Sequence, residues 1–354
     1  TLALLGYDAV KVYSGRGALE AAGSGIDILA GDVAFRCNFA TVGDNLVVLD
    51  RRAGRIANED AARLAESLQK VKLKEASGVK MIFKNTLQHR AVLVVRGAGL
   101  SSAVGGSDPE EAGKKVFDVK PLDGSSEAKH TAEVVNEMLR GFREVLKDHP
   151  LNKERVKRGL PPANIVLCRG AGTIPNIKPL SEVYDITAAC VGVAPLIRGV
   201  CKTAGMKLVD VDGATGTPQT DYLAKAKAAV KALDDFDFVL VHVKAPDVAS
   251  HDHNVQQKIE VIEKIDGMLG YILGHVNLGP VYLAVTADHT TSLETGDHEG
   301  DPVPLAIAGP YVRRDDVQEF DERSCAKGGL HRLRGVDLMP ILMSLIGKAK
   351  KFGS

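Results

Sequence analysis

The chain has 354 residues, 45% of them apolar, which is material for a packed core and enough length that two domains are expected. Lys plus Arg equals Asp plus Glu at 45 each, so no global field favours nucleic acid or a membrane, and 5% aromatic residues with no Trp argue against a surface that stacks bases or sugars. No apolar run approaches the ~20 residues that span a bilayer, and five widely spaced Cys with no CxxC pair fit a reduced, cytoplasmic enzyme better than a disulfide scaffold or zinc ribbon.

From about Asp27 to Arg96 the pattern is strand-like. Gly31–Phe39, Asn45–Asp50, Val79–Phe83 and Ala91–Arg96 are short, β-branched or aromatic, and separated by turn residues. Asn58–Gln69 interrupts them as an amphipathic helix, with Ala61, Leu64 and Leu68 on one face. Ser125 or Ser126 caps a long helix running to about Lys147, stopped by Asp148-His149-Pro150. Leu151–Pro162 is charged, ends in Pro-Pro, and reads as a linker.

From Asn164 strands and helices alternate: Asn164–Cys168 a strand, Val191–Ala204 a helix, Lys207–Asp210 a strand, Tyr222–Leu233 a helix. Phe238–Val243, Val281–Val285 and Val303–Ala308 continue as strands, with helices at Val255–Leu273 and Leu338–Ile346. Strands separated by helices predict an α/β fold with a doubly wound, mainly parallel sheet. The predicted organisation is a metal-binding α/β domain of residues 1–30 and 164–354, with an α+β domain of mainly antiparallel strands, residues 31–163, inserted into it.

Two apolar runs lead into ionisable groups. Phe238–Val243 is followed by Asp247-Val-Ala-Ser-His251, and Val281–Val285 by Asp288-His289, with Gly-Asp-His298 further on. In open α/β sheets ligands bind at the carboxyl ends of strands, and carboxylates with imidazoles suit one or two divalent ions. Asp247 and His251 are four apart, which puts them on one side of a helical turn if the chain bends there. Alone, DxxxH is explained as well by a capping Asp beside a surface His. The grouping favours metal: these segments and their borders carry five of the ten His (His242, His251, His253, His289 and His298). His242, inside the strand, reads as a core or supporting residue, and His253 as an outer neighbour of the ligands.

A second group suits an anionic substrate. Arg36, Arg51, Arg52, Arg55, Arg90, Arg96 and Arg169 stand at strand ends or in turns, where planar bidentate donors could hold phosphate or carboxylate. Arg36 and Arg169 stand out because apolar runs lead into them, and at most one of Arg51 and Arg52 can face a site in an extended segment. Gly15–Ala18, Arg169–Gly172 and Asp212–Gly216 lack Walker or dinucleotide spacing and read as tight turns.

Taken together, Leu4-Leu-Gly-Tyr-Asp8, Gly15-Arg-Gly17, Gly31–Val42, Asp50–Ile56, His89-Arg90, Arg96-Gly97, Ser107-Asp-Pro109, Gly159–Asn164, Arg169–Gly172, Gly213–Gly216, the DxxxH and ADH motifs, Gly296–Pro304 and Arg334–Pro340 form one pattern. That pattern resembles the archaeal-type, cofactor-independent phosphoglycerate mutases of the alkaline phosphatase superfamily. The resemblance implies that Asp247, His251 and His298 hold one divalent cation and Asp288 and His289 a second, the ions being manganese, cobalt or zinc. It implies interconversion of 3-phosphoglycerate and 2-phosphoglycerate in glycolysis and gluconeogenesis, through a phosphoserine enzyme and without 2,3-bisphosphoglycerate. The substrate contacts it suggests are Arg36, Arg90, Arg169, His89, Arg96, Arg55, Lys244 and Asp108, with the insert closing over the metals. The family's nucleophilic Ser and a further metal-binding Asp belong shortly before Leu4 and match no residue of 1–354. The chain is therefore expected to resemble a mutase without its N-terminal segment, and to be inactive by itself. The expected partners are small-molecule substrates, not nucleic acid or membrane, and a homo-oligomer is allowed. Competing expectations are a metal-dependent phosphatase or phosphodiesterase of the same superfamily, or a non-catalytic fragment.

Overall fold

A computed structural model of the chain describes residues 1–73 and 78–349. It divides into two compact units, Thr1–Val12 with Ile177–Ser354, and Tyr13–Asn176. The expected boundaries at 31 and 163 therefore shift outward. Helix α2 (Arg16–Gly23, after the short α1, Ala9–Val12) packs on strand β1 (Val33–Val42), and β5 (Ile165–Gly172) hydrogen-bonds along it, so both belong with the inserted unit.

That unit is an antiparallel sheet with helices on both faces. Besides β1 and β5 it holds β2 (Val48–Asp50), α3 (Asn58–Leu68), β3 (Lys80–Leu87), β4 (Arg90–Arg96), α4 (Ser126–Lys147) and α5 (Pro150–Lys157). β1 lies between β4 and β5, β3 follows β4, and β2 pairs with the far end of β1. Nearly every residue of β1 is buried, because both of its faces are covered. Phe35, Cys37 and Phe39 point into the main core with Leu64 and Leu68 of α3 and Met138 and Phe142 of α4. Ala34, on the opposite face, meets Ala18 and Ala21 of α2. That approach is very close: a Cβ on Gly17 would lie 2.1 Å from the carbonyl oxygen of Ala34. The glycine-rich stretch Gly15–Ala18 is thus the start of a helix rather than a tight turn, and Arg169–Gly172 is the second half of a strand.

α4 begins where its sequence predicts, with the Ser125 hydroxyl accepting the backbone N–H of Ala128. The stretch expected as a linker is instead α5 and its exit. Arg155 there is 3% exposed, pairs with Asp60 at 3.1 Å and donates to the carbonyls of Ala53 and Pro161. These charge-assisted bonds let a charged segment pack rather than float.

The second unit continues with α6 (Leu180–Tyr184), β6 (Ala188–Val191), α7 (Pro195–Thr203), β7 (Lys207–Leu208), α8 (Tyr222–Ala232), β8 (Phe238–Val241), α9 (Ala245–His251) and α10 (Val255–His275). It ends with β9 (Leu283–Thr286), β10 (Thr290–Thr291), β11 (His298–Glu299), β12 (Leu305–Ala308), α11 (Glu322–Cys325) and α12 (Leu338–Leu345). The stretch read as one helix, Val191–Ala204, splits: its first residue ends β6, and Pro195 opens the helix at the position where a missing N–H costs nothing. β6 runs parallel to β7 and β8, as βα alternation predicts. β9, however, pairs antiparallel with β12 and does not join that ladder. Among the described residues the fold is mixed α/β with mostly antiparallel and small sheets, and the expected doubly wound, mainly parallel sheet is not confirmed.

Candidate metal centre and anion-binding face

The first metal motif lies on α9, which starts directly after β8. Lys244 precedes the helix and Pro246 sits in its first turn, so the chain bends and Asp247 and His251 fall one turn apart on the same side. The hairpin of β10 and β11 brings in His298. The ligand atoms of Asp247, His251 and His298 all lie within 4.8 Å of one another. Asp247 Oδ1 is 3.1 Å from His298 Nε2, and Asp247 Oδ2 is 3.4 Å from His251 Nε2. Donor atoms that each sit about 2.1 Å from one tetrahedral ion are spaced by such distances, so the donor set fits a divalent cation.

Supporting bonds orient these groups. The carbonyl of Gly296, an obligate acceptor, lies 2.6 Å from His251 Nδ1, so Nδ1 carries a proton and Nε2 is the ring nitrogen turned toward Asp247. Gly296 holds φ +67°, and a Cβ there would come within 2.6 Å of the His253 ring, so this position accepts only glycine. His253 donates Nδ1–H to the Leu293 carbonyl at 2.9 Å. Thr291, which no sequence motif singles out, donates its hydroxyl to Asp247 Oδ1 at 2.9 Å.

Charge states suit a cation. Burial pushes the Asp247 carboxyl up, but the Lys244 ammonium, the Thr291 hydroxyl and His251 outweigh it and hold the pKa at about 2. Burial, with His289 alongside, lowers His298 against the pull of Asp247, which favours the neutral, ligating ring. Lys244 is ion-paired with Asp247. His289 Nε2 lies 3.8 Å from both Asp247 Oδ1 and Asp288 Oδ1, and the Thr1 hydroxyl donates to Asp288 Oδ2 at 2.9 Å. Asp288 and His289 are thus a second, two-donor set beside the first. His242 is half-buried with its Nδ1 shielded from water, its pKa is driven to about 4 mainly by desolvation, and its backbone carbonyl accepts from Lys225.

The arginines gather in the other unit. On β1, Arg36 stands directly opposite Arg169 of β5, and Asn38, two residues on and on the same face, stands opposite Arg90 of β4. Helix α2 covers this face and adds Arg16 and Glu20. Desolvation lowers the Arg36 pKa to about 10 against the pull of Glu20, with Arg16, Arg169 and Arg90 adding repulsion. Arg90, although exposed, is lowered too, first by desolvation and then, against the pull of Glu20, by Arg16, Arg52 and Arg169. His89 is 8% exposed and held neutral, its pKa lowered to about 4 first by burial and then by Arg90, Arg52 and Arg36. The buried Nδ1 of His89, Oδ1 of Asn38 and Nε of Arg36 have no hydrogen-bond partner. A face with this much positive charge and unsatisfied polarity suits an anion.

Several expected members have other work. Asp108 is buried and receives a bidentate pair from Arg51, at 3.2 and 2.7 Å, with Arg169 Nε at 3.6 Å, so it braces arginines. Arg169 is also ion-paired with Glu110. Arg96 does not join the cluster: it lies at the end of β4 opposite to Arg90 and forks onto Asp32, at 2.7–3.1 Å. Arg55 is exposed in the turn after β2, with φ +55°. Arg16, Glu20 and Asn38 escaped the sequence reading, although Arg16 and Glu20 have the i, i+4 spacing of a helical ion pair.

Comparison with known proteins gives one answer. Residues 1–152 match the family profile of 2,3-bisphosphoglycerate-independent phosphoglycerate mutase. Over its whole length the chain is 52% identical to 2,3-bisphosphoglycerate-independent phosphoglycerate mutase 1 of Methanocaldococcus jannaschii, covering 85% of that protein. It is 45% identical to the corresponding protein of Methanothermobacter thermautotrophicus, again covering 85% of it. Among solved structures, a protein of Pyrococcus horikoshii superposes with a TM-score of 0.86 at 38% identity, covering all of this chain and 84% of that one. The cofactor-independent phosphoglycerate mutase of Thermoplasma acidophilum superposes with a TM-score of 0.68 at 38% identity, covering 98% of this chain and 85% of that one.

Proposed function

Given that the chain belongs to the archaeal-type 2,3-bisphosphoglycerate-independent phosphoglycerate mutases, we propose that it interconverts 3- and 2-phosphoglycerate through a phosphoserine enzyme at a site for two divalent cations. The observation that carries this reading is the convergence of Asp247, His251 and His298, with Asp288 and His289 alongside. Asp247, His251 and His298 would hold one ion, and Asp288 and His289 would contribute to the second, in a domain we take to be of the alkaline phosphatase type. Bound there, manganese, cobalt or zinc would supply Lewis-acid stabilisation of phosphoryl charge and a lowered pKa for an attacking hydroxyl. Lys244, ion-paired with Asp247, would add a further contact to a phosphoryl oxygen.

The arginine face is the proposed receptor for the anionic ends of the glycerate. Arg36, Arg90 and Arg169 would hold them by charge-assisted bonds, with neutral His89 beside them. Holding the glycerate while its phosphoryl group is on the enzyme is what separates a mutase from a phosphatase, since re-attack must outrun water. Arg55, Arg96 and Asp108 have weaker claims to direct contact, for the reasons of position and pairing given above.

The test is to incubate full-length protein with labelled 2-phosphoglycerate and map the label. Transient phosphoserine supports the reading, and phosphate release with no phosphoenzyme and no 3-phosphoglycerate contradicts it.

A further inference from the structure

Glu20 is the one acidic side chain that reaches both Arg16 and Arg36 on the arginine face, among the described residues. It is 7% exposed, and both carboxylate oxygens are engaged. Oε1 accepts from Arg16 Nε at 2.5 Å, and Oε2 lies 3.7 Å from Arg36 Nε. Asp108 and Glu110 are occupied by Arg51 and Arg169. Arg16, Arg36 and Arg90 therefore have Glu20 as an attracting carboxylate, while Arg169 beside them is held by Asp108 and Glu110.

The way Glu20 holds its two partners matters. Glu20 meets both guanidinium groups on their Nε side, through a hydrogen bond to Arg16 and a longer ion pair to Arg36, whose Nε makes no hydrogen bond. A guanidinium offers five N–H donors in a fixed fork, and gripping it at one corner fixes the direction of the rest. Glu20 can grip both because α2 lies so close to β1, an approach that depends on Gly17. Without a carboxylate, mutual repulsion would drive four such side chains apart, and each would regain rotamer freedom that binding must then remove.

We propose that Glu20 is the positioning residue of the arginine face: its carboxylate hydrogen-bonds Arg16 at Nε, attracts Arg36 from the same side, and so orders the two as a receptor for the substrate's anionic group. This rests on the reading that the face binds the glycerate. It assigns Glu20 no contact with substrate. Its charge moderates the attraction for anions in general while its geometry favours one orientation.

The experiment uses full-length protein and compares wild type with Glu20→Gln, Glu20→Asp, Arg36→Ala and Arg90→Ala. It reads kcat and KM for 3-phosphoglycerate, inorganic phosphate affinity by calorimetry, and melting temperature. Glu20→Gln should raise KM by roughly tenfold or more, the loss expected for one charge-assisted bond, with kcat within a few fold. Phosphate, which demands little orientation, should bind at least as tightly as to wild type, because the face has gained positive charge. Glu20→Asp should recover part of the KM. A KM unchanged by Glu20→Gln while both arginine variants raise it overturns the proposal. So does a parallel loss of glycerate affinity, phosphate affinity and melting temperature, which marks a structural role alone. If neither arginine variant moves KM, the assignment of the face itself has failed, and the role of Glu20 goes with it.

Discussion

Asp247 Oδ1 and His298 Nε2 approach to 3.1 Å although they lie on different elements, a helix that starts at a strand end and a two-stranded hairpin. With no cation between them, such a pair is a hydrogen bond. With one, it is two corners of a coordination polyhedron. Replacing Asp247 with Ala removes charge and an oxygen ligand together. It should weaken binding of the tighter ion by more than about 100-fold, beyond the range typical of losing a supporting residue. Elemental analysis after gel filtration would show this.

Gly296 tests the supporting layer without touching a ligand. Gly296→Ala places a methyl against the His253 ring and strains a left-handed backbone. The carbonyl that fixes His251 should move, and metal affinity should fall by about 10- to 100-fold. Titration with manganese would measure it, and an unchanged affinity would show that this carbonyl does not orient His251.

For the arginine face, Arg36→Ala and Arg90→Ala should each lower kcat/KM by an amount corresponding to about 1.5–3 kcal/mol, leaving metal content unchanged. Release of free phosphate should rise relative to isomerisation, because a loosely held glycerate leaves before re-attack. A coupled assay run beside a phosphate assay separates the two products.

Two desolvated histidines set a pH dependence of stability. His89 is held neutral with a pKa of about 4, mainly by burial, against an ordinary value of 6.5. Between those values the unfolded chain binds more protons than the folded one, so stability rises with pH there. The contribution is complete above about pH 6.5 and is lost as pH falls toward 4, up to the order of 3 kcal/mol at about 1.4 kcal/mol per pKa unit. His242 acts in the same direction in the other unit. Urea midpoints should drop between pH 7 and pH 5, and His89→Gln should reduce that drop. A wild-type midpoint that rises on acidification would contradict the assignment.

The metal centre was legible because its ligands follow apolar strands and recur in a short stretch of chain. Its supporting groups were less so, since Thr291 and the Gly296 carbonyl act through backbone placement that residue type does not encode. α4 declared itself through Ser125 and a regular apolar stripe. α5 did not, because its buried side chains include Asn152 and Arg155, which hydropathy reads as solvent-facing. Arg90 and Arg96 both border the same apolar run, and only pairing with β1 shows that the first faces the cluster while the second is tied to Asp32. Glu20 was hidden by its spacing from Arg16, which on most helices marks a routine surface pair. The parallel order of β7, β6 and β8 followed from alternation, whereas the antiparallel pairing of β9 with β12 depends on contacts remote in sequence.

The central claim is that this chain carries a metal-dependent mutase site needing no bisphosphoglycerate. The most direct test strips full-length protein of metal with a chelator, then follows 3-phosphoglycerate to 2-phosphoglycerate by NMR, without 2,3-bisphosphoglycerate, before and after adding manganese, cobalt or zinc. The account predicts no conversion in the stripped protein and conversion restored by at least one of the ions, with little free phosphate formed. Conversion that survives complete metal removal, or that needs added 2,3-bisphosphoglycerate, would contradict it.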